Sequence, residues 1–361
     1  FSFQFYFHPI DKRAQNSIML DAQSEGIGVW DRDIDRYLHS NRVPIYNPLE
    51  EFLFHLPHWD GKDRIHALAN RVPCKNPHWE LLFHRWFLNM VSHWRGVDKM
   101  HANNTSPILV GAQGTHKSTF CREMIPPALR AYYTDSIDFS QKRDAELYLN
   151  RFALINIDEF DQITLPQQGF LKHILQKPVV NLRKPHGRSV LELQRYASFI
   201  GTSNQKDLLT DPSGSRRFIC IEVTGNIDTT QPIDYEQLYA QAIHEIYHGE
   251  RYWFDSEDEQ IMTENNREFE QTPAMLQLFY QYFKAAQTKE EGEFLTPVEI
   301  LNFLKKKSGI SLSDNKVYHF GRLLQKCGIP SKHTLLSAYY QWLLSGDRVL
   351  IFIYLSVSLT V

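Results

Sequence analysis

The chain has 361 residues, with 39 Lys and Arg against 42 Asp and Glu, a formal net charge of -3. That length exceeds one ordinary core and predicts two domains with appendages. The charge balance excludes a uniformly basic nucleic-acid coat and an acidic disordered chain. Hydrophobic residues at 42% and aromatics at 13% supply ample buried cores. Four dispersed cysteines, Cys74, Cys121, Cys220 and Cys327, form no CxxC pair; they argue against a disulfide framework or structural zinc and fit a reducing cytoplasm. Phe1 in place of Met points to a fragment or trimmed chain, so absence of a signal peptide carries little weight.

Residues 1–60 carry weak helix and turn signals, closing with Val43-Pro44-Ile45-Tyr46-Asn47-Pro48 and Leu56-Pro57-His58-Trp59-Asp60-Gly61, which predict turns between short helices. From Trp79 to Trp94, apolar residues at three- and four-residue spacing predict a core helix with one apolar face. Short apolar runs then alternate with helical segments. Strands are expected at Pro107 to Val110, Phe152 to Ile157, Tyr196 to Thr202 and Phe218 to Val223, and helices at Ser118 to Arg130 and Gln167 to Gln176. Strands apolar on both faces imply a mostly parallel, covered sheet. Val179 to Leu182 and Val190 to Leu193 flank a turn at Lys184-Pro185-His186-Gly187. Tyr235 to His248 reads as an amphipathic helix, and the acidic stretch from Asp255 to Glu270 as a solvated helix face. Lys289 to Glu293 reads as a linker, before a compact unit with helices from Thr296 to Leu304 and Val317 to Cys327.

Gly111-Ala112-Gln113-Gly114-Thr115-His116-Lys117-Ser118-Thr119 follows a strand and opens a helix. Inward N–H groups and a helix N-terminus make such a loop an anion nest. Lys117 is expected on the β- and γ-phosphates of ATP and Ser118 on Mg²⁺. His116 stands where GxxxxGK[ST] has its second glycine, a position for φ > 0 that Gly114 relieves in part. About 40 residues later, Leu154-Ile155-Asn156-Ile157-Asp158-Glu159 delivers two carboxylates at a strand's end. Asp158 suits Mg²⁺ and Glu159 a water-polarising role. Asn204 ends a further buried strand and suits positioning of water or γ-phosphate. Arg216 and Arg217 offer charge to a transferring phosphoryl group, one of the two being expected in a structural salt bridge.

These residues resemble the virulence-associated E (VapE/VirE-like) family, P-loop ATPases similar to superfamily 3 helicases and primase-helicases. The resemblance spans roughly residues 45–250 and rests on Tyr46-Asn47-Pro48-Leu49, Leu56 to Arg64, GAQGTHKST, INIDEFD and, above all, GTSNQKDLLTDPSGSRRF. It implies that Asn204 is a sensor residue and Arg216 or Arg217 an arginine finger across a subunit interface, in a protein of phages or mobile elements. The departure at His116 bears on full hydrolytic competence.

Those helicases place a DNA-contacting hairpin where residues 176–195 lie, a segment with five basic residues against Glu192, or +4, and with Arg183, Lys184, His186 and Arg188 at its expected tip. Residues 305–334 carry +6 and resemble a winged helix. The net charge therefore conceals two basic segments on an acidic remainder. His244-Glu245-Ile246-Tyr247-His248 matches HExxH, but no third ligand follows, and a zinc protease is discounted. The uncharged residues 349–361 are too short to span a bilayer as a helix; they read as a buried terminal strand or a frameshifted tail.

The expected fold is α/β: a P-loop NTPase (AAA+/superfamily 3 helicase-like) parallel-sheet core with a helical N-terminal region and a small winged-helix-like C-terminal domain. The expected divisions are 1–95, the ATPase core 96–250, a helical linker 251–293, the winged-helix-like unit 294–345 and a tail 346–361. The expected function is that of a cytoplasmic, ATP-hydrolysing, helicase-like motor on single-stranded or forked DNA, using ATP and Mg²⁺ and assembling as a homo-oligomer such as a hexameric ring, without membrane attachment. The rival is a nucleotide-gated DNA-binding switch that does not unwind DNA.

Overall fold

The computed structural model describes residues 10–43, 46–96, 100–183, 190–209, 212–271, 274–283, 293–308, 317–326, 331–333 and 338–342. The chain divides into two compact units, Phe1–Glu270 and Gln271–Val361. The first opens with helices α1 (Lys12–Ser24), α2 (Asp31–Leu38), α3 (Pro48–Phe54), α4 (Arg64–Ala69) and α5 (Trp79–Arg95). Its αβ portion runs β1 (Ser106–Val110), α6 (Lys117–Glu123), β2 (Tyr133–Thr134), α7 (Lys142–Arg151), β3 (Leu154–Ile157), α8 (Leu165–Leu175), β4 (Val179–Arg183), β5 (Val190–Gln194), β6 (Ser198–Ser203), β7 (Phe218–Glu222), α9 (Tyr235–Tyr247) and α10 (Ser256–Asn265).

Five of these strands form one parallel sheet in the order β2-β3-β6-β1-β7, while β4 and β5 pair as a separate antiparallel hairpin. The four longer strands are mostly apolar on both faces because alternate residues enter different cores. Leu109, Leu154, Ile200, Ile219 and Ile221 pack with α3, α4, α5, α6 and α9. Ile108, Val110, Ile155, Ile157, Phe199 and Cys220 pack with α7 and α8 on the opposite face. The result is three layers, with the strands' C-terminal ends along one edge.

Two motif residues, Asn47 and Asp63, turn out to be helix caps, as does Asp234. Asn47 accepts from the Leu49 and Glu50 amides ahead of α3, Asp63 from His66 ahead of α4, and Asp234 from Gln237 ahead of α9. Asp60 holds Arg64 through both carboxylate oxygens, at 2.6 and 2.8 Å, and Arg64 also reaches Asp234 at 3.1 Å. The HWDGKDR string therefore fastens α4 to α9.

The structure corrects some sequence expectations. Helix α5 is buried all round, including Leu88, Asn89, Ser92 and His93, and is a central element rather than one with a single apolar face. It ends at Gly96, with φ 64, where an added Cβ would lie 2.0 Å from the Gln194 amide nitrogen. Helix α6 stops at Glu123, and a 3-10 turn follows from Pro127 to Tyr132, because a residue before proline is pushed out of the helical region. The acidic stretch is not simply a solvated face: Asp258 is 2% exposed and pairs with Arg85 and Arg251, while Arg216 engages Glu259.

The second unit has α11 (Ala274–Tyr282), α12 (Pro297–Ser308), α13 (Val317–Lys326) and a three-stranded antiparallel sheet ordered β8-β10-β9, from β8 (Glu293–Leu295), β9 (Ser331–His333) and β10 (Ala338–Trp342). Leu276, Phe279, Ile300, Leu304, Phe320 and Leu324 form its core. The expected linker at 289–293 falls almost wholly outside the described residues, and Lys316, Cys327 and the expected tail 346–361 lie outside them. No helix among the described residues is long and apolar enough to cross a membrane.

Candidate functional site

The loop leaving β1 is built by close backbone contacts. The Gly111 amide donates to the Ser203 carbonyl at 3.1 Å, and a Cβ on Gly111 would stand 3.0 Å from the Val223 carbonyl oxygen. The Ile227 amide reaches the Thr115 carbonyl at 3.1 Å, so the segment after β7 braces the loop from outside. Gly114 takes φ 85 and His116 φ 65, the latter immediately before α6. The loop thus keeps the left-handed turn that its sequence pattern assigns to glycine and places an exposed imidazole there. Among described non-glycine residues only His116 and Glu159 have positive φ, and both belong to this site. Such backbone costs about 1–2 kcal/mol per residue.

Lys117 is 6% exposed, and its ammonium donates to the carbonyls of Gly111 (2.7 Å) and Ala112 (2.8 Å) and to Asn204 Oδ1 (3.2 Å). Burial lowers its pKa, opposed by the charge of Asp158. Ser118 and Thr119 are exposed on the first turn of α6. Ser118 Oγ donates to Asp158 Oδ1 at 3.0 Å across 40 residues of sequence. The sheet brings these groups together: β6 lies between β1 and β3, with Leu109 opposite Thr202 and Ile157 opposite Gly201. Loop, carboxylates and Asn204 consequently leave adjacent parallel strands at the same edge, where open sheets bind ligands.

Three polar partners were not singled out from the sequence. Thr202 Oγ1 also donates to Asp158 Oδ1, and Ser203 Oγ donates to Asp161 Oδ1 at 2.7 Å. Asp161, like Asp158, favours the charged form of Lys117. The available signal was the polar pair Thr202-Ser203 closing an apolar strand, which becomes interpretable once its register beside β3 is known. Gly201, just before that pair, has a packing reason: a Cβ would lie 2.8 Å from Ile108 Cδ1 and 3.2 Å from the Ile157 carbonyl oxygen.

The remaining candidates lie farther out. Arg216, 47% exposed at its side chain, pairs with Glu259 of α10 at 2.8 Å, and Arg217 lies beside it at the foot of β7. Lys184, His186 and Arg188 lie outside the described residues; Arg183 ends β4, but its side chain is likewise undescribed. Two cations counted in the hairpin's charge are engaged at its base. Lys177 pairs with Glu146 at 2.6 Å. Arg195 is 1% exposed and donates to the carbonyls of Ile174, Leu175, Lys177, Ala197 and Asn103. Burial lowers its pKa to about 9, which still leaves it protonated at neutral pH. It closes the C-terminal end of α8, where carbonyls lack helical partners.

The HExxH residues serve the helical layer. Glu245 accepts from His84 Nε2 (2.7 Å) and from Gln241 (2.9 Å), and Gln241 also donates to Asp63. His244 and His248 stack at 3.9 Å, with His248 Nδ1 2.7 Å from the His244 carbonyl. No cluster of three metal-ligating side chains occurs among the described residues.

A family model for the virulence-associated protein E-like domain matches residues 53–271, and one for a domain of unknown function (DUF3874) matches 272–341. No curated protein sequence matches. Among solved structures, the apo C-terminal region of NrS-1 (305–718) is similar at 11% identity and TM-score 0.44, covering 81% of this chain and 78% of that one. An A-form structure of that region gives 11% and 0.43 over the same shares. With its first unit matched almost from α3 to its final residue, the chain belongs to the virulence-associated protein E-like family.

Proposed function

We propose that this chain is an ATP-hydrolysing, DNA-interacting, helicase-like motor of a phage or mobile element, built on a P-loop NTPase core of the AAA+/superfamily 3 type. The observation that carries the reading is the meeting of Lys117, Ser118, Asp158 and Asn204 at one edge of a parallel sheet whose central strand, β6, separates the loop strand from the carboxylate strand. The loop Gly111 to Thr119 would cradle the phosphates, with Lys117 exchanging its bonds to Gly111 and Ala112 for phosphate oxygens.

The hydroxyl of Ser118 and carboxylate of Asp158 fit Mg²⁺, a hard cation that prefers few protein oxygens plus substrate phosphates. When bound, Mg²⁺ supplies neutralisation of phosphate charge. Thr202 would hold Asp158 in place, Glu159 would orient water and draw its proton, and Asn204 would position that water or the γ-phosphate. Arg216 or Arg217 would act on a neighbouring subunit's nucleotide in an oligomer; action by Arg216 would require its pairing with Glu259 to open. DNA would be engaged by Arg183, Lys184, His186 and Arg188 and followed by the second unit, whose α12, α13 and small antiparallel sheet support a winged-helix-like reading.

The test is ATP hydrolysis with and without single-stranded DNA by wild type, Lys117→Ala and Glu159→Gln. Absence of Lys117-dependent hydrolysis rejects the motor. The intrachain pairing of Arg216 favours, as the second reading, a nucleotide-gated DNA-binding switch. Hydrolysis without strand displacement selects that alternative.

A further inference from the structure

A cleft of about 640 Å³ opens in the helical layer between α3, the segment 56–59, the end of α5 and the last turns of α9. None of its residues belongs to the site around Lys117. Planar rings stand among its aliphatic lining residues. The Trp59 ring lies 4.9 Å from that of His244, which in turn stacks on His248 at 3.9 Å. The Arg95 guanidinium sits 4.3 Å from the centre of the Tyr247 ring. Tyr247 is 65% exposed and Phe54 81%, so large aromatic faces line the opening towards solvent. Glu50 is the one carboxylate among the lining residues.

We propose that this cleft binds the bases of single-stranded nucleic acid, as a second contact distinct from the expected tip of the β4–β5 hairpin. Every base carries a π face, and aromatic rings with stacked arginine accept such faces without regard to sequence. The cationic guanidinium beside the rings, and imidazole N–H groups at the rim, suit phosphates that follow the stacked bases. A duplex keeps its base faces covered and has none to offer to Tyr247 or Trp59. A neutral peptide would use the apolar lining but would bring no anion to the Arg95 guanidinium, whereas a single strand brings base faces and phosphates together, so nucleic acid is the better match. The proposal rests on the reading that the chain handles nucleic acid.

The experiment uses the whole chain with a labelled oligothymidylate, an abasic strand of equal length, and a 5-iodouracil strand for photocross-linking. Wild type is compared with Tyr247→Ala, Tyr247→Phe, and a hairpin variant, Arg183→Ala with Arg188→Ala. We expect cross-links to Trp59, Phe54 or Tyr247, and about tenfold weaker oligothymidylate binding by Tyr247→Ala. Tyr247→Phe should retain affinity, and the abasic strand should bind both variants alike. Thermal melts confirm that each exposed-site variant remains folded. Unchanged affinity in Tyr247→Ala, with cross-links confined elsewhere, overturns the proposal and leaves the cleft to a protein partner. Binding lost only in the hairpin variant overturns this contact while preserving the DNA-motor reading; no strand binding by any form overturns both. Lys117-dependent ATP hydrolysis without DNA should be unaffected by Tyr247→Ala.

Discussion

The ammonium of Lys117 lies 3.2 Å from Asn204 Oδ1, joining the loop after β1 to the end of β6 across 87 residues of sequence. The same ammonium is held by two loop carbonyls, so Asn204 is not its sole anchor. Asn204→Ala should therefore leave the fold and nucleotide affinity nearly intact while lowering kcat by about 10²–10³, the scale for one lost polar stabiliser. Lys117→Ala should lose nucleotide binding as well. Steady-state ATPase kinetics and direct nucleotide titration separate the two outcomes.

His116 occupies a left-handed backbone position with φ 65 and is exposed. Replacing it by glycine removes steric cost, so His116→Gly should stabilise the chain by about 1 kcal/mol. A melting temperature raised by about 2–4 °C is the expected readout. Turnover equal to or above wild type would show that the imidazole has no chemical duty; a large fall would assign it one.

Arg195 is buried without a carboxylate partner among the described residues and joins five carbonyls from the end of α8 and the residues just after it, the segment entering β6 and the segment before β1. Arg195→Leu should cost at least about 3 kcal/mol, because several buried acceptors lose their donors together. Arg195→Lys should recover only part, since an ammonium cannot reproduce the guanidinium fork. Chemical denaturation measures both, and proteolysis around residues 176–195 should become faster in the leucine variant.

Gly201 has no room for a side chain between Ile108 and Ile157. Gly201→Ala should destabilise by about 1–3 kcal/mol through displacement of β6 from its neighbours. Because Thr202 follows directly, ATP turnover should fall more than the fraction unfolded explains. Activity compared with circular dichroism at the same temperature tests this.

Hydrogen bonds from Arg64 hold the Asp60 carboxyl well below the usual carboxylate range. A lowered folded-state pKa means that its stabilisation is complete above the unfolded value, about pH 4, and is lost as pH falls through the folded value. Asp60 is exposed, so water screens the pair and the effect is small. Asp60→Asn should lower the melting temperature by about 2 °C at pH 7, with the difference shrinking steadily below about pH 4. A constant difference across that range would reject the ion pair as its source.

The parallel core and the loop were legible because their signals are local. Residues 106–110, 154–157, 198–203 and 218–222 are short apolar runs, and Gly111 to Thr119 follows one of them directly. The all-round burial of α5 was hidden, because its polar residues suggested an outer face and only the packed layers show that His84 meets Glu245 and His93 the buried Asn103 amide. The charge count along 176–195 likewise misjudged Lys177 and Arg195, whose partners come from other elements.

By itself, the sequence determined which segments become buried strands, where a glycine-containing loop precedes a helix, and where carboxylates and an asparagine end their strands. Backbone conformation and hydrophobic burial act over a few residues, so composition and spacing record them. Tertiary structure alone decided that Thr202 and Ser118 share one oxygen of Asp158, that Arg216 faces Glu259, and that Trp59, Arg95 and Tyr247 line one cleft. These pairings depend on strand order and helix docking between distant segments, which the summed burial of the whole unit sets and no local pattern encodes.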